Sequence, residues 1–231
     1  MVDLVKSAKK IQDFKHGDLT KRIANLEAEL EGAKQKNVQS LCSEHKIDNT
    51  LLHSAITLKE ASGQIDTVIH TIGMMSLLPK ILQPGELIES LSLGAGNTGK
   101  KFDLETNLRI AEFKFIQWKG GAEAIRQNSL FKDFFYLAEK KTKKKRCLYV
   151  LGLEHPKKFL EGGRNIDSVL SRNVKLSKIF RDRYHSQFST VGEYYGYRKH
   201  LVELVDINKI IPSFGHSSHL DDLPIEEDDA S

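Results

Sequence analysis

Cysteine is nearly absent from this chain of 231 residues: Cys42 and Cys147 are the only two, and they lie far apart. Two such residues supply neither a disulfide framework nor a Cys-rich zinc cluster, so the fold has to rest on apolar burial in a reducing compartment, and the cytoplasm is the expected location. Long hydrophobic runs are missing as well. No segment approaches the ~20 apolar residues that cross a bilayer, and the opening MVDLVKSAKK lacks the apolar stretch of a secretory signal, so no membrane partner is expected. A phosphate loop is also lacking. Gly94, Gly96 and Gly99 are followed by Lys100, Lys101 and strand-like residues where GK[ST] and a helix would be needed, which argues against an ATPase. The histidines build no metal cluster: His185 and His200 are separated, and the His216/His219 pair sits among Gly, Ser and acidic residues that suit a terminus better than zinc.

Charge is scarce in one sense only at the C-terminal end. The last eleven residues hold six acids and no base, and removing them from the formal net charge of +4 leaves +10 on residues 1–220. A basic body suits a polyanionic partner. Residues 221–231 read as an acidic, disordered tail.

The most informative stretch is Phe102–Trp118, FDLETNLRIAEFKFIQW. Period-two alternation puts Ile110, Glu112, Lys114 and Ile116 on one face of a strand and Phe113 and Phe115 on the other. The turn-rich GAGNTG before it predicts a hairpin that brings Asp103 beside this strand. Two carboxylates at one strand end repel when both ionise, and a hard divalent cation with oxygen ligands offsets that repulsion. Asp103 and Glu112, with the Phe113 carbonyl as third protein ligand, form the candidate metal set. Lys114 is the candidate group that orients a water or neutralises a phosphate in the transition state, because its acidic neighbours oppose a depressed pKa.

These pieces, FDLET, AEFKF and the later IRQNSLFKDFFYLAE, resemble the PD-(D/E)xK nuclease superfamily, across about Ile65–Leu153. Phe102 stands where the motif's proline would precede Asp103. The resemblance implies an α/β fold of restriction-endonuclease type, with an α-β-β-β-α-β core around a mixed central sheet, cleaving DNA with Mg2+, for which Mn2+ can substitute. It also implies an active-site role for Gln127 and assigns Glu86, ahead of the first core strand, as a further metal ligand, with Glu89 as the alternative.

Downstream, Ile125, Leu130, Phe131, Phe134, Phe135, Leu137 and Ala138 give a helix of about 122–139 with a broad apolar face. Arg126 near its start is a candidate phosphate contact. KKTKKKR, including Lys143, Lys144, Lys145 and Arg146, is a second candidate nucleic-acid contact, in competition with an ordinary solvated turn. CLYVLGL reads as the buried fourth strand, with Cys147 a small buried hydrophobe, and LVELVDI as an accessory fifth. The aromatic and basic residues of 179–200 read as helix packing ahead of base stacking.

Residues 1–60 read as a helical appendage for dimerisation or partner binding, and residues 61–220 as the nuclease-like domain. Leu19, Ile23, Leu26 and Leu30 form a stripe too short for an autonomous coiled coil, which has to pack on its own body or on another copy. Leu51 to Leu58 begin a second helical region. Ile65, Val68, Ile69, Ile72 and Met75 mark a third, ending near Leu78 before Pro79. The expected partners are DNA, a second copy and a further protein. Two competing functions remain open: a catalytically silent nucleic-acid-binding module, and an interaction scaffold recruiting a partner through its helices.

Overall fold

The computed structural model describes residues 3–15, 17–94, 99–118 and 124–215. The predicted acidic tail and the His216/His219 pair lie outside the described residues. The chain divides into two compact units, one ending at Asp66 and the other starting at Thr67.

The first unit is helical: α1 (Leu4–Lys15), α2 (Leu19–Leu30), α3 (Gln35–Glu44) and α4 (Asn49–Ala61). Asp18 and Asp48 start α2 and α4 by accepting backbone N–H groups of the first turn, which satisfies donors a helix cannot pair itself. Helix α1 packs along α4, and the buried residues of the two are Ser7 and Ser54. Cross-links are polar, as in Glu29 to His45 at 2.7 Å and the Arg22 guanidinium over the Phe14 ring. Of the two packing partners expected for the stripe, its own chain does not cover it, since Leu19, Ile23 and Leu30 are all exposed. The helices form as their periodicity predicts, but the described residues of this unit enclose almost no apolar core.

The second unit is built on a five-stranded mixed sheet. After α5 (Ile65–Ile81) come β1 (Ile88–Leu91), β2 (Leu104–Thr106) and β3 (Arg109–Lys114), then α6 (Ala124–Glu139) and β4 (Lys145–Val150). Strand order follows the sequence, β1-β2-β3-β4-β5, where β5 is Glu203–Asp206. Strands β1, β2 and β3 are antiparallel neighbours, whereas β3, β4 and β5 run parallel. The switch at β3 follows its two connections: a tight turn at 107–108 reverses β2 into β3, while α6 provides the crossover that the parallel β3–β4 pair requires.

Alternation along β3 divides the core in two. Ile110 faces α6 with Leu148 and Val150, while Ala111, Phe113 and Phe115 face α5 with Tyr149. Helix α5 meets the sheet through Gly73, Met74, Leu77 and Leu78, and leaves Ile65, Val68, Ile69, Ile72 and Met75 exposed. It is apolar on both sides, so periodicity identified the helix without choosing its buried face. Its predicted end at Leu78 is also corrected. The helix runs through Pro79 to Ile81, and Leu82 N–H still reaches the Leu78 carbonyl at 3.0 Å, so the proline removes one hydrogen bond without stopping the last turn.

The remaining helices, α7 (Glu154–Leu160), α8 (Ile166–Leu170), α9 (Val174–Tyr184) and α10 (Val191–Arg198), close over α6, and α11 (Ile207–Ile210) follows β5. Phe180, Tyr184, Tyr194 and Tyr195 are buried against Phe131, Phe134 and Phe135. Glu139 at the end of α6 accepts hydrogen bonds from the hydroxyls of Tyr184 and Tyr194 and pairs with Arg183 and Arg198. These rings are therefore core, and the base-stacking alternative loses all of them except the exposed Tyr197.

Gly73 sets how closely α5 approaches the sheet, because a Cβ there would lie 2.5 Å from Phe115 Cδ1. Gly73→Val should lower unfolding free energy by at least about 1 kcal/mol through overpacking. The check is a reduced urea midpoint followed by fluorescence of Trp118, the only tryptophan.

Candidate active site at the open end of the third strand

Strand β2 is shorter than β3. Its register with β3 ends at Leu104 opposite Ala111, whereas β4 continues to pair with β3 as far as Lys114 opposite Val150. Beyond Leu104, the Asp103 side chain replaces the missing strand: its Oδ2 accepts the Phe113 N–H at 3.0 Å. Because the Lys114 carbonyl is turned to β4, where it accepts Leu151 N–H, alternation directs the Phe113 carbonyl to the Asp103 side. The hairpin expectation is met in this respect, since β1 and β2 pair antiparallel, although residues 95–98 of its turn lie outside the described residues.

Glu112 and Lys114 share the face that α6 covers, as their parity requires. Glu112 is buried. Burial, then the charges of Asp133 and Asp103, drive its pKa well above the usual carboxylate range, against the pull of Lys114; its carboxyl also hydrogen-bonds Asp103. Lys114 behaves oppositely. Burial would lower its pKa, but the charge and hydrogen bond of Asp133, followed by Glu112 and Asp103, raise it, so the amine is a fixed positive charge. Its Nζ lies 2.5 Å from Asp133 Oδ2 on α6. The site thus gathers three carboxyl groups around one ammonium.

Two contributors were not anticipated. Asp133 had a visible signal, an acid inside the apolar run LFKDFF, yet its neighbours' helical periodicity absorbed it. His70 had none. It sits on α5, its Nε2 3.7 Å from Asp103 Oδ1 and 3.3 Å from the Ser92 carbonyl, and only the tertiary fold brings it there.

Glu86 requires correction. It lies at the other end of the sheet, where its carboxylate is consumed by Arg109: Nε to Oε1 is 2.6 Å and the second guanidinium nitrogen reaches Oε2 at 2.7 Å. Thr106 Oγ1 and the Gln83 N–H complete its shell. Burial would raise its pKa, but the bonds from Arg109, Gln83 and Thr106 outweigh it and hold the group at about 2. With its lone pairs engaged and β3 separating it from Glu112, Glu86 cannot join the acidic cluster. The alternative Glu89 pairs with Lys144 on the same side.

The basic loop is likewise remote. Lys145 begins β4 opposite Arg109, so Lys143, Lys144, Lys145 and Arg146 sit some six residues, roughly 17–20 Å, from the Lys114 end. Lys144 is held by Glu89 and Glu105, Lys145 by Glu203, and Arg146 donates to the Thr142 carbonyl. Arg126 is better placed, at the start of α6, donating to the Gln117 carbonyl at 2.8 Å. Seven residues before Asp133, it lies on the same line of the helix. Gln127 is half-buried on α6 but is turned about 120° from that line, and among the described residues its side chain makes no hydrogen bond to the carboxylates.

Among the described residues, no group of three or more Asp, Glu, His or Cys side chains is placed to hold a metal ion. The expected set, Asp103 and Glu112 with the Phe113 carbonyl, consists wholly of oxygens. No described helix is long and apolar enough to cross a membrane. Comparison with protein-family models, with curated proteins and with solved structures gives no match.

The Glu86–Arg109 pair predicts an acid-sensitive fold. The folded pKa of Glu86 lies below its ordinary 4.5, so its stabilisation is complete above about 4.5 and is lost as pH falls toward 2. Glu86→Gln should cost about 3–5 kcal/mol at neutral pH, because it leaves Arg109 buried and unpaired. Urea midpoints between pH 7 and 2 should fall in the wild type and show a weaker pH dependence in the variant.

Proposed function

We propose that this chain is a metal-dependent nuclease of the PD-(D/E)xK type, hydrolysing DNA phosphodiester bonds at the open end of β3. The observation that carries this reading is the convergence of Asp103, Glu112 and Lys114 from adjacent chain segments, with Glu112 buried in a state that a cation would relieve. The order α5, β1, β2, β3, α6, β4 supports the restriction-endonuclease-like assignment.

The donor chemistry fits Mg2+. Oxygen-only ligands suit a hard cation, and a site with two carboxylates and a carbonyl leaves room for the waters Mg2+ retains. Asp103 and Glu112 would hold it, and Mn2+ would serve in its place. When bound, the ion acidifies a water and stabilises negative charge on the phosphate. The protein's own work is different. Glu112 would meet the ion in its ionised form, and Asp103 is held in place by the Phe113 N–H. Lys114 stays cationic and offsets charge that develops as water adds to phosphorus and the bond to the leaving oxygen breaks. Arg126 supplies a guanidinium at the same end for the flanking backbone. Gln127 keeps only an auxiliary role that its orientation does not favour.

Lys114→Ala should lower Mg2+-dependent cleavage of circular or linear duplex by about a hundredfold or more, while folding and DNA binding remain measurable. Near-normal turnover in a nuclease-free preparation would reject the assignment. Asp103→Asn should weaken Mn2+ binding in calorimetry without DNA.

Glu112→Gln gives a reading independent of cleavage. A folded pKa above the ordinary 4.5 means that stability falls as pH rises past 4.5, so removing the ionisation should stabilise the metal-free protein by about 1–3 kcal/mol at pH 8. In EDTA the variant's urea midpoint should exceed that of the wild type. Added Mg2+ should raise only the wild-type midpoint.

A further inference from the structure

Asp133 occupies a position that packing alone would give to a hydrophobe. It is 3% exposed, in the middle of α6, with buried Leu130 and Leu137 three residues before it and four after it on the same side. A buried carboxylate is costly unless it is paired, and an apolar residue of similar volume often serves a fold as well or better. Its partner is specific. Oδ2 lies 2.5 Å from Lys114 Nζ, and the second contact, Oδ1 to the more exposed Lys132 Nζ, is longer at 3.4 Å. Among the described residues no backbone N–H or hydroxyl donates to it, in contrast to the fully surrounded Glu86.

Lys114 has a long, rotatable side chain. Left free beside Glu112, its ammonium would close onto that carboxylate and occupy the oxygens a cation requires. Held from the opposite side by α6, it remains next to the acidic pair without neutralising it.

We propose that Asp133 is a positioning residue that anchors Lys114 Nζ to α6, keeping the ammonium poised over the reacting phosphate and off the Glu112 carboxylate. This rests on the nuclease reading of the cluster.

The test compares full-length wild type with Asp133→Asn, which removes the charge, and Asp133→Glu, which keeps it. Reductive methylation of the folded proteins with formaldehyde and cyanoborohydride, quantified by peptide mass spectrometry, reports whether Lys114 is engaged, with the exposed Lys175 and Lys209 as internal references. Asp133→Asn should raise Lys114 labelling severalfold relative to both references. It should lower kcat on duplex DNA about ten- to a hundredfold through misplacement of the ammonium, with KM for DNA within about threefold of wild type. Asp133→Glu should recover most of both losses. Unchanged Lys114 labelling in a folded Asp133→Asn protein, or a kcat loss that merely follows the folded fraction, would overturn the proposal. If Asp133→Asn does not fold, the Glu variant decides: labelling and kcat near wild type uphold the anchor, and a loss of kcat with Lys114 still protected refutes it. A wild type that cuts nothing with Mg2+ or Mn2+ removes the nuclease reading and the catalytic sense of the anchor with it. The labelling contrast then still shows whether the ion pair holds Lys114, so the two failures are distinguishable.

Discussion

A carboxylate buried on the central strand of a sheet is the constraint around which this molecule is organised. Five of the six residues of β3 are buried, so Glu112 cannot turn to water. Its charged form meets a low-dielectric surrounding and two further acids, and a single neighbouring ammonium does not balance them. The site is thus unsatisfied by construction. Such local conflict destabilises the fold and is characteristic of places where a ligand or transition state supplies the missing charge.

The opposite end of the same strand shows what a satisfied arrangement looks like. Arg109, three residues before Glu112 and on the other face, closes onto Glu86 through two nitrogens and donates to the Tyr149 hydroxyl at 2.9 Å and to the Ile81 carbonyl at 2.9 Å. Every charge there has its complement, so the pair fixes the connection between α5 and β1 against β3 and leaves nothing for a ligand to add. One strand thereby carries a closed ion pair at one end and an unbalanced acidic cluster at the other, on opposite faces set by the parity of its side chains.

Much of this was readable from residues alone. The alternation in RIAEFKF determined which side chains share a face, and that parity survives because a one-residue slip would turn Phe113 away from the α5 side and carry Glu112 and Lys114 into that apolar core. Strands β4 and β5 and helix α6 followed from their apolar runs. Residue type does not reveal which end of the sheet a segment reaches: register places Glu86, expected in the acidic cluster, beside Arg109, the end where the KKTKKKR loop also lies. Helix α5 is apolar on both sides, so periodicity finds the helix without a buried face, and Gly73 opposite Phe115 makes that choice. Asp133 was overlooked because periodicity weighs the average character of a helical face, whereas a single buried acid matters through one partner. In the helical unit, Leu19, Ile23 and Leu30 do repeat with the helix and nonetheless lie exposed, because periodicity marks an apolar face without saying what covers it.

The existence of the site comes down to a difference in strand length. Had β2 continued past Leu104 toward its N-terminal side, its backbone would have taken the Phe113 N–H and carbonyl into the ladder, and Asp103 would have pointed to one face or the other. Because β2 stops, the Asp103 side chain takes over the N–H, and the carbonyl on the same side of the strand is left for something else. An acid, a carbonyl and the neighbouring Glu112 then gather where β3 runs past the end of β2. Helix α6, required in any case as the crossover between parallel β3 and β4, brings Asp133 to Lys114 on the same face as Glu112. Sheet topology therefore sets the polar groups in place, and the chemistry proposed for them uses backbone atoms that a longer β2 would have consumed.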